Sequence, residues 1–193
     1  MTTIAILGNG RVGGALARAL ADAGHEVTVA DRSSAAAAAS RARVVINATP
    51  GAGSLDRLTA LREHLHGKVL VDVSNATAEG PDGLPSDLLH PGSSLAERLQ
   101  EALPDTQVVK SLNTMSYPVM TAPASLAQAP TAFLSAEAKQ VVRALLADLG
   151  WRAEWVTDLG GIRTARAAEA AILFVPHVIR AAGPRPFAVS IVH

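Results

Sequence analysis

Thr3–Arg32 reads TIAILGNGRVGGALARALADAGHEVTVADR, and the reading of this stretch decides the fold of the whole chain. The apolar run Ile4–Leu7 stops at Gly8-Asn9-Gly10-Arg11-Val12-Gly13. A helix-period segment follows from Val12 to Ala23, Gly24 closes it, and a second apolar run, Val27–Ala30, ends on Asp31. Strand, glycine turn, helix, strand and acid, in that order, form the βαβ pattern that cradles a dinucleotide pyrophosphate. Gly8 permits the tight turn, Gly10 lets the backbone approach the pyrophosphate, and Gly13 lets helix and strand pack closely. The helix that opens around Arg11 and Val12 turns its unpaired N–H groups and positive end toward the phosphates. A valine at Gly10 or Gly13 is therefore expected to abolish dinucleotide binding and leave the fold intact.

Asp31 falls where the adenosine ribose lies in such a unit, and its carboxylate can accept hydrogen bonds from both ribose hydroxyls, which favours NAD. Arg32 and Ser33 follow at once and are groups that commonly hold the 2′-phosphate of NADP. Both cofactors stay open at this point.

Further along, Val44-Val45-Ile46 is a continuous apolar run, as expected of a parallel strand buried on both faces. Asn47-Ala48-Thr49-Pro50-Gly51 follows at its carboxyl edge, where ligands bind in open α/β sheets. Leu55, Leu58, Leu61 and Leu65 mark a helix that Gly67 ends, and His64 and His66, two apart, read as surface residues. Val69–Val73 is a fourth strand ending at Ser74-Asn75. The Gly-, Pro- and Ser-rich segment 78–94 reads as a long irregular loop beside the site. Ser94 and Glu97 form a capping box for a helix striped by Leu95, Leu99 and Leu103. A fifth strand begins at Val108-Val109 and leads through Lys110 to Asn113-Thr114. Three strand ends thus deliver Thr49-Pro50, Ser74-Asn75 and Asn113-Thr114 to one side of the sheet.

The C-terminal part reads as one more packed layer. A strand at Thr131–Leu134 precedes an amphipathic helix from Ala136 to Leu149, and a further strand is expected at Trp151–Val156. One helix from about Gly161 to Ala182 bends at Pro176. Its Ile172-Leu173-Phe174-Val175 run either closes the core or forms a dimer contact. Arg163, Arg166 and Glu169 read as a solvated helix face, His177 as a packed residue, and Phe187–Val192 as an edge strand. Residues 1–130 are expected to be the dinucleotide-binding core and residues 131–193 an extension that completes the sheet and covers the site, within one domain.

Composition narrows the rest. The 193 residues carry 17 Lys+Arg and 17 Asp+Glu, so no net field favours nucleic acid or an anionic membrane. There is no Cys, which excludes disulfides, thiolate nucleophiles and Cys-ligated zinc. The six His (25, 64, 66, 90, 177, 193) lack metal-ligand spacing, and no metal is expected. No membrane span or leader is expected, and the plain reading is a cytoplasmic protein whose partners are small molecules and a second copy of itself.

The fingerprint ending in Ala30-Asp31-Arg32, the VVKSLNTM stretch, FLSAEAKQVVRALLADLG and IRTARAAEA together resemble the F420-dependent NADP oxidoreductase family, related to STEAP-type ferric reductase domains. The resemblance spans nearly the whole chain. It implies a doubly wound α/β Rossmann fold with a parallel sheet and a small C-terminal helical extension, often dimeric. The implied activity is hydride transfer between NADP or NAD and a second redox cofactor, the deazaflavin F420 or a flavin. Carried over, Gly8, Asn9, Gly10, Arg11, Val12 and Gly13 hold the pyrophosphate, and Arg32 and Ser33 match the 2′-phosphate binders. Ala48, Thr49, Pro50, Ser74, Asn75, Asn113 and Thr114 flank the nicotinamide. Thr49, Asn75, Asn113 and Thr114 position rings, and no residue is expected to be an essential acid or base. Two departures stand out. Asp31 occupies a position that is small and neutral in NADP-specific members, and the loop after Asn75 lacks the apolar, proline-containing stretch that covers the deazaflavin. The alternatives are a reductase of a small carbonyl or imine, with Tyr117 or His177 as proton donor, and a protein that senses NAD(P) without turnover.

Overall fold

The computed structural model describes residues 1–137 and 139–191. Its strands are β1 (Thr3–Leu7), β2 (Glu26–Ala30), β3 (Val44–Asn47), β4 (Val69–Asp72), β5 (Thr77–Glu79), β6 (Pro85–Leu88), β7 (Gln107–Lys110), β8 (Ala132–Ser135) and β9 (Val156–Gly160). Its helices are α1 (Arg11–Asp22), α2 (Ala35–Arg41), α3 (Ser54–Thr59), α4 (Arg62–Leu65), α5 (Leu95–Ala102), α6 (Tyr117–Thr121), α7 (Gln140–Asp148), α8 (Ala165–Ala170) and α9 (Val175–Ala182).

Seven strands form one sheet in the order β2-β1-β3-β4-β7-β8-β9. Every residue of β3 and β4 is buried, because helices cover both faces, and that is why these strands read as unbroken apolar runs. In β1 the side chains divide strictly by parity. Ile4 and Ile6 join Leu16, Leu20 and Trp151 on one face, while Ala5 and Leu7 join Leu58, Leu65 and Leu99 on the other. The expected doubly wound α/β architecture is therefore present, with one exception to parallel pairing. β8 runs antiparallel to β7, joined through Lys110 and Ser135, and β9 is again parallel to β8.

β1 lies between β2 and β3, so successive crossovers leave it in opposite directions. At this switch point the turns after β1 and β3 part and open a crevice beyond the carboxyl ends of the strands.

Several local expectations give way to tertiary context. The segment read as an irregular loop folds into an antiparallel hairpin, β5–β6, whose turn is set by Gly83 at φ +72° and by the Leu84 N–H donating to Asp82. The leucine-striped helix before Gly67 breaks into α3 and α4. The strand expected at Trp151–Val156 starts later, at Val156, after a 3-10 turn at Ala153–Trp155. Trp151 is instead buried, its indole N–H donating to the Met120 carbonyl at 3.0 Å. The long C-terminal helix is divided by 3-10 turns at Ile162–Thr164 and Ala171–Phe174 into α8 and α9. Pro176 sits in the first turn of α9, where a missing N–H costs nothing, so it starts a helix rather than bending one. Among its described residues the tail forms no regular edge strand, only a single antiparallel bridge between Ala188 and Met115. Phe187 and Val189 hydrogen-bond along the loop after β7, to Ser116 and Thr114, and Val189 also accepts from Thr131. Val192 and His193, and Ala138 before α7, lie outside the described residues. Among the described residues, no helix is long and apolar enough to cross a membrane.

Candidate functional site

The glycine turn sits at the switch point. Gly8 adopts φ +110°, and a Cβ there would lie 2.7 Å from the Ala48 carbonyl oxygen, so the turns after β1 and β3 nearly touch. Gly10 is the N-cap of α1 and no side chain caps that helix, which leaves its first turn to accept an anion. A Cβ on Gly10 meets nothing within 4 Å, whereas one on Gly13 would fall 1.9 Å from the Gly8 carbonyl oxygen. This corrects the expectation for Gly13: a side chain there disrupts the packing of α1 on the β1 turn, and only Gly10 faces open space. Gly51 is a close-packing glycine that sequence reasoning missed, its would-be Cβ overlapping the Asn75 carbonyl.

A single cavity of about 1690 Å³ begins at this turn. Gly8, Asn9, Gly10, Arg11 and Val12 line one end together with Asp31 and Arg32. Ala48, Thr49, Pro50, Ser74, Asn75, Asn113 and Thr114 line its middle. Of the sequence-derived candidates, Gly13 and Ser33 do not line it. Gly13 lies beneath the turn, and Ser33 is held against Asp31, its hydroxyl donating at 2.7 Å.

Beneath the middle loops runs a polar network whose hub sequence reasoning passed over. Lys110, 1% exposed, donates to Asp72 at 2.7 Å and to the Ser74 carbonyl, and pairs with Glu169 at 3.0 Å. Burial alone would push its ammonium pKa down, but the two carboxylates more than offset that and hold it above the ordinary lysine value. Asp72 Oδ1 also accepts from Asn47 Nδ2 at 2.8 Å and from the Ser74 hydroxyl at 2.8 Å. Glu169 accepts the Leu95 and Ala96 N–H groups at 2.9 and 3.2 Å, capping α5 from another element. The signal was present in the sequence, since a lysine and an aspartate inside strands buried on both faces must find partners. The expected solvated face on α8 is also overturned. Glu169 is buried, the partly exposed Arg166 pairs with Glu97, and Arg163, in the 3-10 turn before α8, is exposed. Ser94 accepts the Glu97 N–H at 3.1 Å as the capping box requires. The Glu97 carboxylate, however, takes the Ser94 hydroxyl and Arg166 instead of closing the box on the backbone.

This network sets the loops above it. Asn47 Oδ1 accepts the Thr49 hydroxyl at 2.6 Å, so Thr49 lines the cavity with its proton already committed. Arg57, itself on the cavity lining, binds Thr49, Pro50 and Ser54. Leu112 takes φ +59°, the left-handed conformation that a branched residue tolerates only under constraint, and this turns the chain into Asn113. Asn113 Nδ2 donates to Asn75 Oδ1 and to the Ala168 carbonyl, both at 2.9 Å, while Asn75 Nδ2 returns a bond to the Asn113 carbonyl at 3.0 Å. After these bonds, Asn113 Oδ1 and Thr114 Oγ1 remain without partners although the residues are 3% and 5% exposed. Unpaired buried polar atoms are costly, and these two belong to residues that line the cavity. The uncapped glycine turn and these unpartnered atoms are compatible with a bound dinucleotide.

The far side of the cavity is apolar. Met115 and Met120 face Ile172, Phe174, Val175 and Val178, with Phe187 and Val189 from the tail. Phe174 is 65% exposed, and its apolar run joins neither buried core cluster: Ile172, Phe174 and Val175 line this wall, while Leu173 lines a second, smaller cavity. His177 is exposed and lines a separate small cavity beside the β5–β6 hairpin, against the expectation that it packs. Tyr117 carries the Arg11 guanidinium 5.5 Å above its ring.

A glycine turn at the switch point of a mostly parallel sheet defines a Rossmann-like, NAD(P)-binding class of domain. The chain belongs to the F420-dependent NADP oxidoreductase family. Residues 3–53 match the family model described as NADP oxidoreductase, coenzyme F420-dependent. A crystal structure from Arthrobacter sp. FB24, carrying the provisional name F420-dependent NADP-reductase, is 35% identical over 100% of both chains, with a TM-score of 0.91. A hypothetical protein from Sinorhizobium meliloti is 27% identical over 85% of this chain and 88% of its own, with a TM-score of 0.63. A reductive aminase from Aspergillus terreus shares the fold at 21% identity and a TM-score of 0.65, over 94% of this chain and 62% of its own. No curated protein matches the sequence.

Proposed function

We propose that this oxidoreductase moves a hydride between a nicotinamide dinucleotide and a second flat redox cofactor, F420 or a flavin, seated in the same cavity. One observation carries the reading. The uncapped glycine turn lines the same cavity as the apolar residues of α9 and the tail, and so do Asn113 and Thr114, whose Oδ1 and Oγ1 are buried without a partner. Gly8 to Val12 would hold the pyrophosphate, with Gly13 securing the turn from below. Asp31 and Arg32 would meet the adenosine end, with Ser33 behind Asp31, and Ala48 to Pro50, Ser74-Asn75 and Asn113-Thr114 would flank the nicotinamide. The nicotinamide supplies or accepts the hydride when bound. The chain's own residues align the two rings and exclude water, and positioning of this kind can account for about 7 to 11 kcal/mol of barrier reduction. In this reading, residues 131–193 complete the sheet and cover the site formed by residues 1–130.

Neither Lys110 nor His177 stands free in this cavity, which supports two-ring transfer over reduction of a carbonyl or imine. Lys110 is fully committed below the loops, and His177 lines the other cavity. Tyr117, on the cavity wall, is the residue a carbonyl or imine reductase would use as proton donor. The test is loss of nicotinamide absorbance with F420, FMN, FAD, a cyclic imine, a ketone or no acceptor. Turnover is expected only with the deazaflavin or a flavin, with Tyr117→Phe within a few-fold of wild type. A roughly thousand-fold loss in Tyr117→Phe, about 4 kcal/mol, together with turnover of imine or ketone, would overturn the proposal. Binding without turnover on any acceptor would leave the sensing protein as the better description.

A further inference from the structure

The end of β2 is built around one carboxylate oxygen. Asp31 Oδ1 accepts the Ser33 N–H at 3.0 Å, the Ser33 hydroxyl at 2.7 Å, the Ser34 N–H at 3.0 Å and the Ser34 hydroxyl at 2.7 Å. Each serine has one hydroxyl proton, and both are spent on Asp31. The side-chain donations from Ser33 and Ser34, then the Ser34 N–H, hold the carboxyl at about 2, so it is ionised under any working condition. Asp31 Oδ2 takes no hydrogen bond among the described residues, and Asp31 lines the cavity. Arg32 lines it too, and among the described residues it makes no ion pair or side-chain hydrogen bond.

Consider what each cofactor would meet here. A ribose with a free 2′-hydroxyl brings donors, and a carboxylate oxygen with open lone pairs accepts them. A 2′-phosphate brings only acceptors and up to two negative charges, and needs the serine hydroxyls that Asp31 already occupies. Freeing them would break the bonds on Oδ1 and leave a carboxylate beside the phosphate. Arg32 could neutralise one of those charges but not release the serines.

We propose that Asp31, locked by Ser33 and Ser34, makes this chain select NAD(H) over NADP(H), against the cofactor in its family's name. Resting on the reading of the cleft as a nicotinamide dinucleotide site, the proposal names the residues that choose between the two dinucleotides. The serines that match phosphate binders in the family serve here to hold an acid.

Calorimetric titration of the folded protein with NAD+ and NADP+ tests this without any acceptor or turnover. Wild type is expected to bind NAD+ at least ~10-fold more tightly, equivalent to ~1.4 kcal/mol. Asp31→Ser should invert the preference, since it removes the repelling charge and frees the Ser33 and Ser34 hydroxyls for the phosphate beside Arg32. The double variant Ser33→Ala/Ser34→Ala should narrow the preference without inverting it, because the charge remains. All three substituted positions are exposed, and circular dichroism verifies that each variant is folded. Equal or tighter binding of NADP+ by wild type, or an unchanged ratio in Asp31→Ser, overturns the selector while the site reading stands. Failure of folded wild type to bind either dinucleotide overturns the site reading itself, and the selector with it.

Discussion

Gly13 and Gly14 are adjacent in α1 and should respond in opposite directions to the same change. In Gly13→Ala the new Cβ would lie 1.9 Å from the Gly8 carbonyl oxygen and 3.0 Å from its carbon, with Ile6 Cγ2 behind at 3.4 Å. Backbone meets backbone, so no flexible side chain can give way, and α1 must withdraw from the β1 turn by roughly 1 Å, an overpacking cost near the top of the usual range at ~3 kcal/mol. Alanine's better helix propensity offsets about 1 kcal/mol of this. The net loss of ~2 kcal/mol corresponds to a fall of about 4 to 8 °C in Tm for a chain of this size. In Gly14→Ala the Cβ meets nothing within 4 Å, so only the propensity gain remains and Tm should rise by about 2 to 4 °C. Gly10→Val, also pointing into open space, should leave Tm unchanged yet abolish dinucleotide binding. Thermal unfolding of the three variants by circular dichroism in one buffer provides the comparison. A Gly13→Ala protein that melts at or above wild type, or a Gly14→Ala protein that falls with it, would refute the close-packing account of the turn.

Three further outcomes are expected. Lys110→Met leaves Asp72 and Glu169 buried without their cation and should cost about 3 to 5 kcal/mol in denaturant unfolding; a loss below ~1 kcal/mol would mean the hub is dispensable. Thr114→Val removes a buried hydroxyl that has no protein partner, so stability should hold or rise while dinucleotide affinity falls by about ten-fold, ~1.4 kcal/mol; equal losses in both would show that the hydroxyl serves the fold. Glu97 gives a pH signature. Burial pushes its carboxyl up, but hydrogen bonds from Arg166 and Ser94 and the Arg166 charge outweigh that and hold it below its ordinary 4.5. Its contribution is therefore fully present above pH 4.5 and is lost as pH falls through the lower folded value, so Glu97→Gln should flatten the acid limb of Tm against pH. An acid limb identical to wild type would refute this.

What the sequence determined by itself is what local patterning encodes. Ile4–Leu7, the three-glycine turn and the amphipathic α1 are close in sequence, and their geometry needs no distant partner. The same holds for the Ser94 cap, one turn from Glu97, and for the apolar β3 and β4, whose burial on both faces is written in their composition. The sequence also brought Thr49, Asn75 and Asn113 to one edge, because parallel strands joined by crossovers present their carboxyl ends together. Tertiary structure decided the rest. Lys110 meets Glu169 from α8, and Glu169 caps α5 across 74 residues of chain, an encounter that no periodicity records. The antiparallel entry of β8, the tail laid along Asn113–Ser116 and the exposure of Phe174 to the cavity depend on long-range docking in the same way. Even at Asp31 the pattern named the acid, but only the folded turn showed that Ser33 and Ser34 both hydrogen-bond to it. The physical reason is range: hydrophobic periodicity and turn chemistry act within a few residues. The pairing of buried charges, and which buried atoms stay unpaired, are settled only when distant segments compete for the same donors and acceptors.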